Sequence, residues 1–382
     1  MAQLKAGPRK GTAAVPDIAA QLDLASACIK GGEAMMMGRP ALVVIGHRGK
    51  GMNALASPDE RLREVKENTV RSFNDAASVS GVAYVEFDVQ VTKDGCPIIF
   101  HDNFIFTQEQ DGEITGKRVT DLRLDEFLSY GPQIKDQGKV GRPLLRKLKD
   151  GRILRWDVRC DDVLCTLQEA FEDVDTRVGF NVELKFDDDL VYQEGELTGI
   201  LQSILKVVSE HARDRPIIFS SFQPDAARLM RKLQDGYPVY FLTNGGTQIY
   251  ADARRNSLEE AVRLCVACGL QGIVSEARAV FRHPAAIVMV KEAGLSLLTY
   301  GQLNNVPEAV YMQHLMGVDG VIVDLVQEIT EAVSEFAAAV APAEPGLEDG
   351  SVGMLETVAK RTPNFSQREI SFLLRLIPEL VQ

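Results

Sequence analysis

Side chains that can move protons, grip an anion or hold a metal crowd into three stretches of this chain. Gly46-His47-Arg48-Gly49 closes one apolar run, Tyr84–Asp102 (YVEFDVQVTKDGCPIIFHD) carries Glu86, Asp88 and His101, and Asn181-Val182-Glu183-Leu184-Lys185 closes another. The three carboxylates Glu86, Asp88 and Glu183 would repel one another in a dry pocket, and a divalent ion resolves the conflict. Bare carboxylate oxygens suit a hard cation, Mg²⁺ or Ca²⁺, and not a metal that prefers thiolate. Arg48 and Lys185 suit an anionic substrate oxygen, and a guanidinium fork matches the edge of a phosphate. Two imidazoles that titrate near neutrality, His47 and His101, suit one proton taken and one given. Together these groups imply metal-assisted cleavage of a phosphodiester by general acid/base catalysis.

The elements that must position them follow from periodicity. Tyr84–Val91 alternates as a strand, so Glu86 and Asp88 project from one face. Asp94-Gly95 signals a hairpin, and the returning arm Ile98–His101 then brings His101 back beside Asp88. Alternation likewise puts Asn181, Glu183 and Lys185 on one face. Eight apolar strands are expected, starting at Ala41, Tyr84, Gly179, Ile217, Val239, Gly272, Leu295 and Val321. Most are separated by helical patterns, among them Leu197–Val208, Pro224–Leu233, Leu258–Cys268, Pro284–Ala293 and Val306–Met316. Thr69 or Asn68 serves as N-cap of a helix through Val70, Phe73 and Ala77. The order predicts an α/β fold, a TIM (β/α)8 barrel with a hairpin arm after strand two, over an open doubly wound sheet, since no GxGxxG run follows the first strand. In such a barrel the chemistry sits at the C-terminal ends of strands, where all three clusters fall.

Three further segments are expected around this body. Residues 1–38 read as a flexible tail or weak transit peptide, 39–335 as the barrel, 336–365 as a linker and 366–382 as an amphipathic helix. Within the barrel, 103–166 loses its periodicity and reads as an insertion over the site. The last helix carries a Ser366/Glu369 capping box and an apolar stripe, which suits docking on the barrel or on a second copy in a homo-oligomer.

The chain has 382 residues, 45% hydrophobic and 25% charged, with a formal net charge of -12. That charge argues against nucleic acid or an anionic membrane surface as the main partner. No apolar run approaches the ~20 residues of a membrane helix, so no membrane span is expected. The six cysteines form no disulfide framework and fit a reducing compartment, and Cys265 and Cys268 read as small core residues. The expected location is cytoplasmic, with the plastid as alternative. His211, His283 and His314 lie in or beside helical patterns, away from the strand ends.

The runs VVIGHRG, ENTVRSF, VEFDVQVTKDGCPIIFHD, NVELK and SSF, in that order, resemble the glycerophosphodiester phosphodiesterases from about Val43 to Asp324. FLTNGGT, LQGIVSE, LLTYGQLNN, MGVDGVIVD and the tail PNFSQREISFLLRLIPEL look like the plant intracellular branch. The resemblance implies a TIM barrel that hydrolyses deacylated phospholipids, such as glycerophosphocholine, to sn-glycerol 3-phosphate and an alcohol. It implies His47 and His101 as the acid/base pair, Arg48 and Lys185 as phosphate-contacting residues, and Glu86, Asp88 and Glu183 as metal ligands. Glu67 matches the glutamate of the ENT run, placed behind Arg48. Mg²⁺ is the implied ion, with Ca²⁺ as alternative. Where bacterial members often carry a Trp-Thr-Val-Asn type run, this chain has Leu298-Thr299-Tyr300-Gly301-Gln302, so contacts to the glycerol or the alcohol do not transfer. Two rival readings are a lysophospholipase D- or phospholipase C-like enzyme on acylated substrates, and a catalytically silent barrel that only binds glycerophosphodiesters.

Overall fold

A computed structural model describes residues 42–133 and 141–340, with side chains through 335. The tail 1–38, with Cys28, and the helix expected over 366–382 lie outside the described residues. So does the linker, except that the last helix, Val326–Val340, continues past Glu335.

Buried, β-branched runs become the strands. In chain order these are β1 (Val43–Gly46), β2 (Val82–Val91), β3 (Pro97–Ile99), β4 (Phe104–Gln108), β5 (Ile114–Arg118), β6 (Leu145–Lys147), β7 (Ile153–Arg155), β8 (Gly179–Leu184), β9 (Ile217–Ser221), β10 (Val239–Thr243), β11 (Gly272–Glu276), β12 (Ser296–Tyr300) and β13 (Gly320–Val323). β1, β2 and β8 to β13 pair in parallel, and β1 joins both β13 and β2, which closes the sheet into an eight-stranded barrel. These are the eight strands expected, each shifted by at most a few residues. Strands covered on both faces need apolar side chains inside and out, and all six residues of β8 are buried.

Alternation along β2 decides which way the acids face. Val85, Phe87 and Val89 point outward into the layer shared with the helices. There Phe87 meets Phe73 at 5.1 Å and Phe180 at 4.9 Å between ring centroids. Glu86 and Asp88 therefore point inward, and moving them would mean withdrawing Phe87, a loss of about 3–5 kcal/mol by analogy with large-to-small core changes. A smaller cluster of Ile45, Ile218, Tyr240, Leu242, Val274, Leu298 and Ile322 fills the barrel itself.

The hairpin forms at Thr92–Cys96, where the Gly95 N–H donates to the Thr92 carbonyl at 2.9 Å. β3 runs antiparallel to β2 in the register Val89↔Ile99, and the Phe100 N–H donates to the Asp88 carbonyl at 2.9 Å. This sets His101 beside Asp88. The insertion is more ordered than its composition suggests. β5-β4-β6-β7 form a four-stranded antiparallel sheet, backed by a core that includes Ile98, Phe100, Phe127, Leu144 and Trp156.

The helix Val326–Val340 follows β13 and descends outside the barrel. Its Thr330 methyl would lie 2.8 Å from a Cβ built on Gly81, just ahead of the start of β2. This helix is absent from the sequence expectation, which names no helix after the last strand and begins the linker at residue 336. No helix among the described residues is long and apolar enough to cross a membrane.

Candidate active site

His47 and Arg48 leave β1 in a tight loop. Gly49 has φ 90°, and a Cβ there would lie 2.5 Å from the Ser72 hydroxyl. Arg48 itself is left-handed, φ 50°, as is Asn68, φ 57°. Non-glycine residues hold that conformation only when their surroundings compel it. For Arg48 the surroundings are polar: its N–H donates to Glu86 Oε2 at 2.9 Å, its Nη1 to Glu67 Oε1 at 2.7 Å, and its carbonyl accepts from the Asn68 N–H at 3.0 Å. The Asn68 amide donates in turn to Asp88 Oδ2 at 2.8 Å.

Glu86, Asp88 and Glu183 are buried, and one oxygen of each lies within 4.8 Å of the others. Lys185 Nζ sits 2.8 Å from Glu183 Oε1 and 3.5 Å from Asp88 Oδ1. Arg48 Nε lies 3.4 Å from Asp88 Oδ2, but two cations still do not neutralise three carboxylates. Burial and the charge of Asp88 push the Glu86 carboxyl up to about 8, and burial raises Glu183 as well. Asp88 Oδ1 is buried without a hydrogen bond. Three converging hard oxygens, one of them without a hydrogen bond, fit a small divalent cation, although they do not select Mg²⁺ over Ca²⁺.

The two imidazoles flank this cluster. His47 Nδ1 is 2.7 Å from Asp324 Oδ1, and its Nε2 is 4.0 Å from Glu86 Oε2. Burial works against a charge on His47, but Asp324 outweighs it and holds the group above the ordinary histidine value. His101 Nδ1 is 2.7 Å from Asp102 Oδ1. Burial, reinforced by Arg48 and Lys185, holds His101 well below that value. Each aspartate suits an Nδ1–H donor, which would leave Nε2 as the nitrogen of each ring available for proton transfer.

One cleft of about 740 Å³ is lined by His47, Arg48, Glu86, His101, Glu183 and Lys185. Its far wall is uncharged apart from Glu276 and Arg278, and includes Asn244, Thr247, Tyr300 and Gln302. A second cavity of about 740 Å³ lies between the insertion and the barrel, and shares His101, Lys149, Glu183, Lys185 and Phe222 with the first. Glu67 stands behind Arg48, fully buried. Burial opposes its charge, yet Arg146 and Arg48 draw its carboxyl down to about 2.

The Glycerophosphoryl diester phosphodiesterase family model matches residues 47–328, a span that contains every residue of this cleft. The chain belongs to this family. Membership makes it an enzyme of the phosphoric diester hydrolase class. It is 58% identical to glycerophosphodiester phosphodiesterase GDPD2 of Arabidopsis thaliana, over 90% of each chain. It is 59% identical to the chloroplastic GDPD1 of the same plant, over 89% of this chain and 90% of that one. The phosphodiesterase OLEI02445 of Oleispira antarctica, solved with the product sn-glycerol-3-phosphate, shares the fold with a TM-score of 0.53. It is 21% identical, and the match covers 77% of this chain and 97% of that one.

Of the residues singled out from sequence, this member of the phosphodiesterase family gathers His47, Arg48, Glu86, His101, Glu183 and Lys185 around one cleft, with Asp88 among the acids and Glu67 behind. Asn181 and Ser220 instead bond each other, 3.2 Å apart, deeper in the barrel. Asn304 is buried among Thr299, Gln313 and the Ile322 carbonyl. His211 pairs with Glu172 at 3.2 Å, and neither it, His283 nor His314 lines the cleft. Sequence reasoning missed Asp324 and Arg146. Asp324 had one signal, as the acid that ends the last strand in VIVD. Asp102, given no role from sequence, is the partner of His101.

Proposed function

We propose that this chain hydrolyses glycerophosphodiesters such as glycerophosphocholine to sn-glycerol 3-phosphate and an alcohol, with His101 as general base and His47 as general acid. The observation that carries the reading is the convergence of two oppositely poised imidazoles, two cations and three carboxylates on one cleft. His101 Nε2 takes the proton of the glycerol hydroxyl next to the phosphoester. That oxygen attacks phosphorus in line, and His47 gives its Nε2 proton to the departing alcohol. Water then opens the cyclic phosphate with the two roles exchanged. Attack from within the substrate contributes up to about 7 kcal/mol or more through effective molarity. Arg48 and Lys185 offset charge building on the phosphoryl oxygens. A divalent cation held by Glu86, Asp88 and Glu183, Mg²⁺ in our reading and Ca²⁺ otherwise, would act there as a Lewis acid.

Purified protein incubated with a panel of glycerophosphodiesters, and read by released glycerol 3-phosphate, tests this. Turnover must vanish with chelation and return with Mg²⁺. Activity that survives exhaustive chelation removes the metal from the proposal, and no release from any member of the panel removes the substrate class.

A second reading has an observation of its own. Leu190, Val191 and Ile249 are exposed on loops that follow β8 and β10, at the mouth of the barrel, beside the cavity lined by Phe104 and Phe106. An acyl chain could lie there, as a lysophospholipase D-type reaction requires. Side-by-side turnover of glycerophosphocholine and lysophosphatidylcholine separates the two. For location we keep the cytosol as the first reading. The plastid of the chloroplastic Arabidopsis relative is the alternative, and fractionation of the expressed protein decides between them.

A further inference from the structure

We propose that Arg146, carried by β6 of the insertion, is a positioning residue that ties His101 and Arg48 to one scaffold, so that the insertion completes the catalytic centre of the barrel. The proposal rests on the reading of His101 as base and Arg48 as phosphate ligand.

Arg146 is buried and lies 79 residues from Glu67 and 44 from Asp102 in sequence. Its Nη1 donates to Glu67 Oε2 at 3.0 Å and to the Asn53 carbonyl at 3.2 Å. Its Nη2 donates to Asp102 Oδ1 at 3.1 Å, and its Nε lies 3.0 Å from Asp102 Oδ2. One planar fork thus spans two carboxylates with different clients: Glu67 grips Arg48 through Oε1, and Asp102 holds His101 Nδ1. The resulting chain is Arg48–Glu67–Arg146–Asp102–His101. Its underside is fixed too. The guanidinium stacks 4.4 Å from the centroid of Trp156, whose Nε1–H donates to Asn53 Oδ1 at 3.0 Å, and the Asn53 N–H donates to Glu67 Oε2 at 2.5 Å.

The geometry accounts for the residue type. A guanidinium presents donors along two edges in a fixed plane, whereas an ammonium is a single point with no edge to lay on a ring. Without Arg146, Glu67 and Asp102 lose the buried cation they share. Asp102, partly exposed and joined to the scaffold through that guanidinium, would leave His101 free to turn about its side-chain torsions. Glu67 would still hold Arg48 with its remaining oxygen. The predicted defect is therefore in turnover more than in substrate binding.

The experiment compares wild type, Arg146→Ala and Arg146→Lys on glycerophosphocholine with Mg²⁺ present. Emission of Trp156, the only tryptophan in the chain, reports whether the insertion core is intact. Arg146→Ala should lose roughly 10- to 100-fold in kcat with a smaller change in KM, as for other residues that orient a working ligand. Guanidinium ion added at millimolar levels should restore part of the loss. Asp102→Asn, costly in wild type, should cost almost nothing in the Arg146→Ala background, because the two changes break one chain. Should Arg146→Ala lose the buried-tryptophan emission, Arg146→Lys decides alone, and wild-type turnover in that variant overturns the proposal. So does an Arg146→Ala kcat within about twofold of wild type, or a cycle in which the two losses simply multiply. Should His101→Ala itself remain active, the catalytic reading fails, whereas collapse of His101→Ala beside a normal Arg146→Ala sinks only the role of Arg146.

Discussion

Both imidazoles of the cleft carry an aspartate 2.7 Å from Nδ1, Asp324 for His47 and Asp102 for His101. The partners of those aspartates differ. Asp324 is held by neutral donors, the Met52 N–H at 3.0 Å and the Asn305 amide at 2.9 Å, so its charge acts on His47 alone. Asp102 spends its charge on Arg146, and His101 also feels Arg48 and Lys185. The same two-residue motif thus yields one imidazole held above its ordinary pKa and one held well below it. Burial opposes the charge of both rings; at His47 the charge of Asp324 outweighs it, whereas at His101 Arg48 and Lys185 reinforce it.

The largest effect that can break this comparison comes from the histidines. His47→Ala and His101→Ala should each lower kcat by roughly 10²- to 10⁴-fold. They should part on a glycerophosphodiester with a nitrophenol leaving group, which departs without a proton. His47→Ala should recover most of its loss there and His101→Ala none. The opposite pattern would exchange acid and base.

Next come the aspartates. Asp324→Asn should cost roughly 10- to 100-fold. It should also lower the pKa of His47, so the acid is lost at a lower pH and the alkaline limb of the kcat profile moves to lower pH. Asp102→Asn should lower kcat without moving that limb. A profile that shifts equally in both variants would mean that the two clamps are equivalent after all.

A smaller step sharpens the same point. Asn305 Oδ1 accepts from the Asp324 and Leu325 N–H groups at 2.7 and 3.1 Å, so Asn305→Ala should loosen Asp324 and lower kcat by less than Asp324→Asn does, without moving the alkaline limb to lower pH. The smallest effect on turnover belongs to Thr166→Ala. Thr166 and Glu169 form a capping box at the start of Leu167–Asp173, away from both clamps. Its loss should lower stability by about 1 kcal/mol in thermal unfolding and leave kcat unchanged.

How much of this was legible in the sequence varies with the range of the contact. The barrel strands declare themselves because burial on both faces forces apolar runs. Glu86, Asp88 and His101 declare themselves because a hairpin fixes their register within one short stretch. β5 reads Ile-Thr-Gly-Lys-Arg, with only Thr115 and Arg118 half-buried, so the insertion sheet leaves no apolar trace to follow. Arg146 is one basic residue among several in a basic stretch, and only the folded chain shows it 3.0 Å from Glu67. Asp324 reaches His47 across the seam where β13 closes on β1, a contact 277 residues apart that no local pattern encodes.

That seam also sets how the molecule can be handled. β1 rises from the floor of the barrel, and the final helix comes back down to that floor beside Gly81. The described body therefore begins and finishes on the side opposite its mouth. A fluorophore coupled beside Leu42, where the described body begins, would therefore sit on the underside and leave the entrance open to bulk solution, so labelled and unlabelled protein should turn over at the same rate.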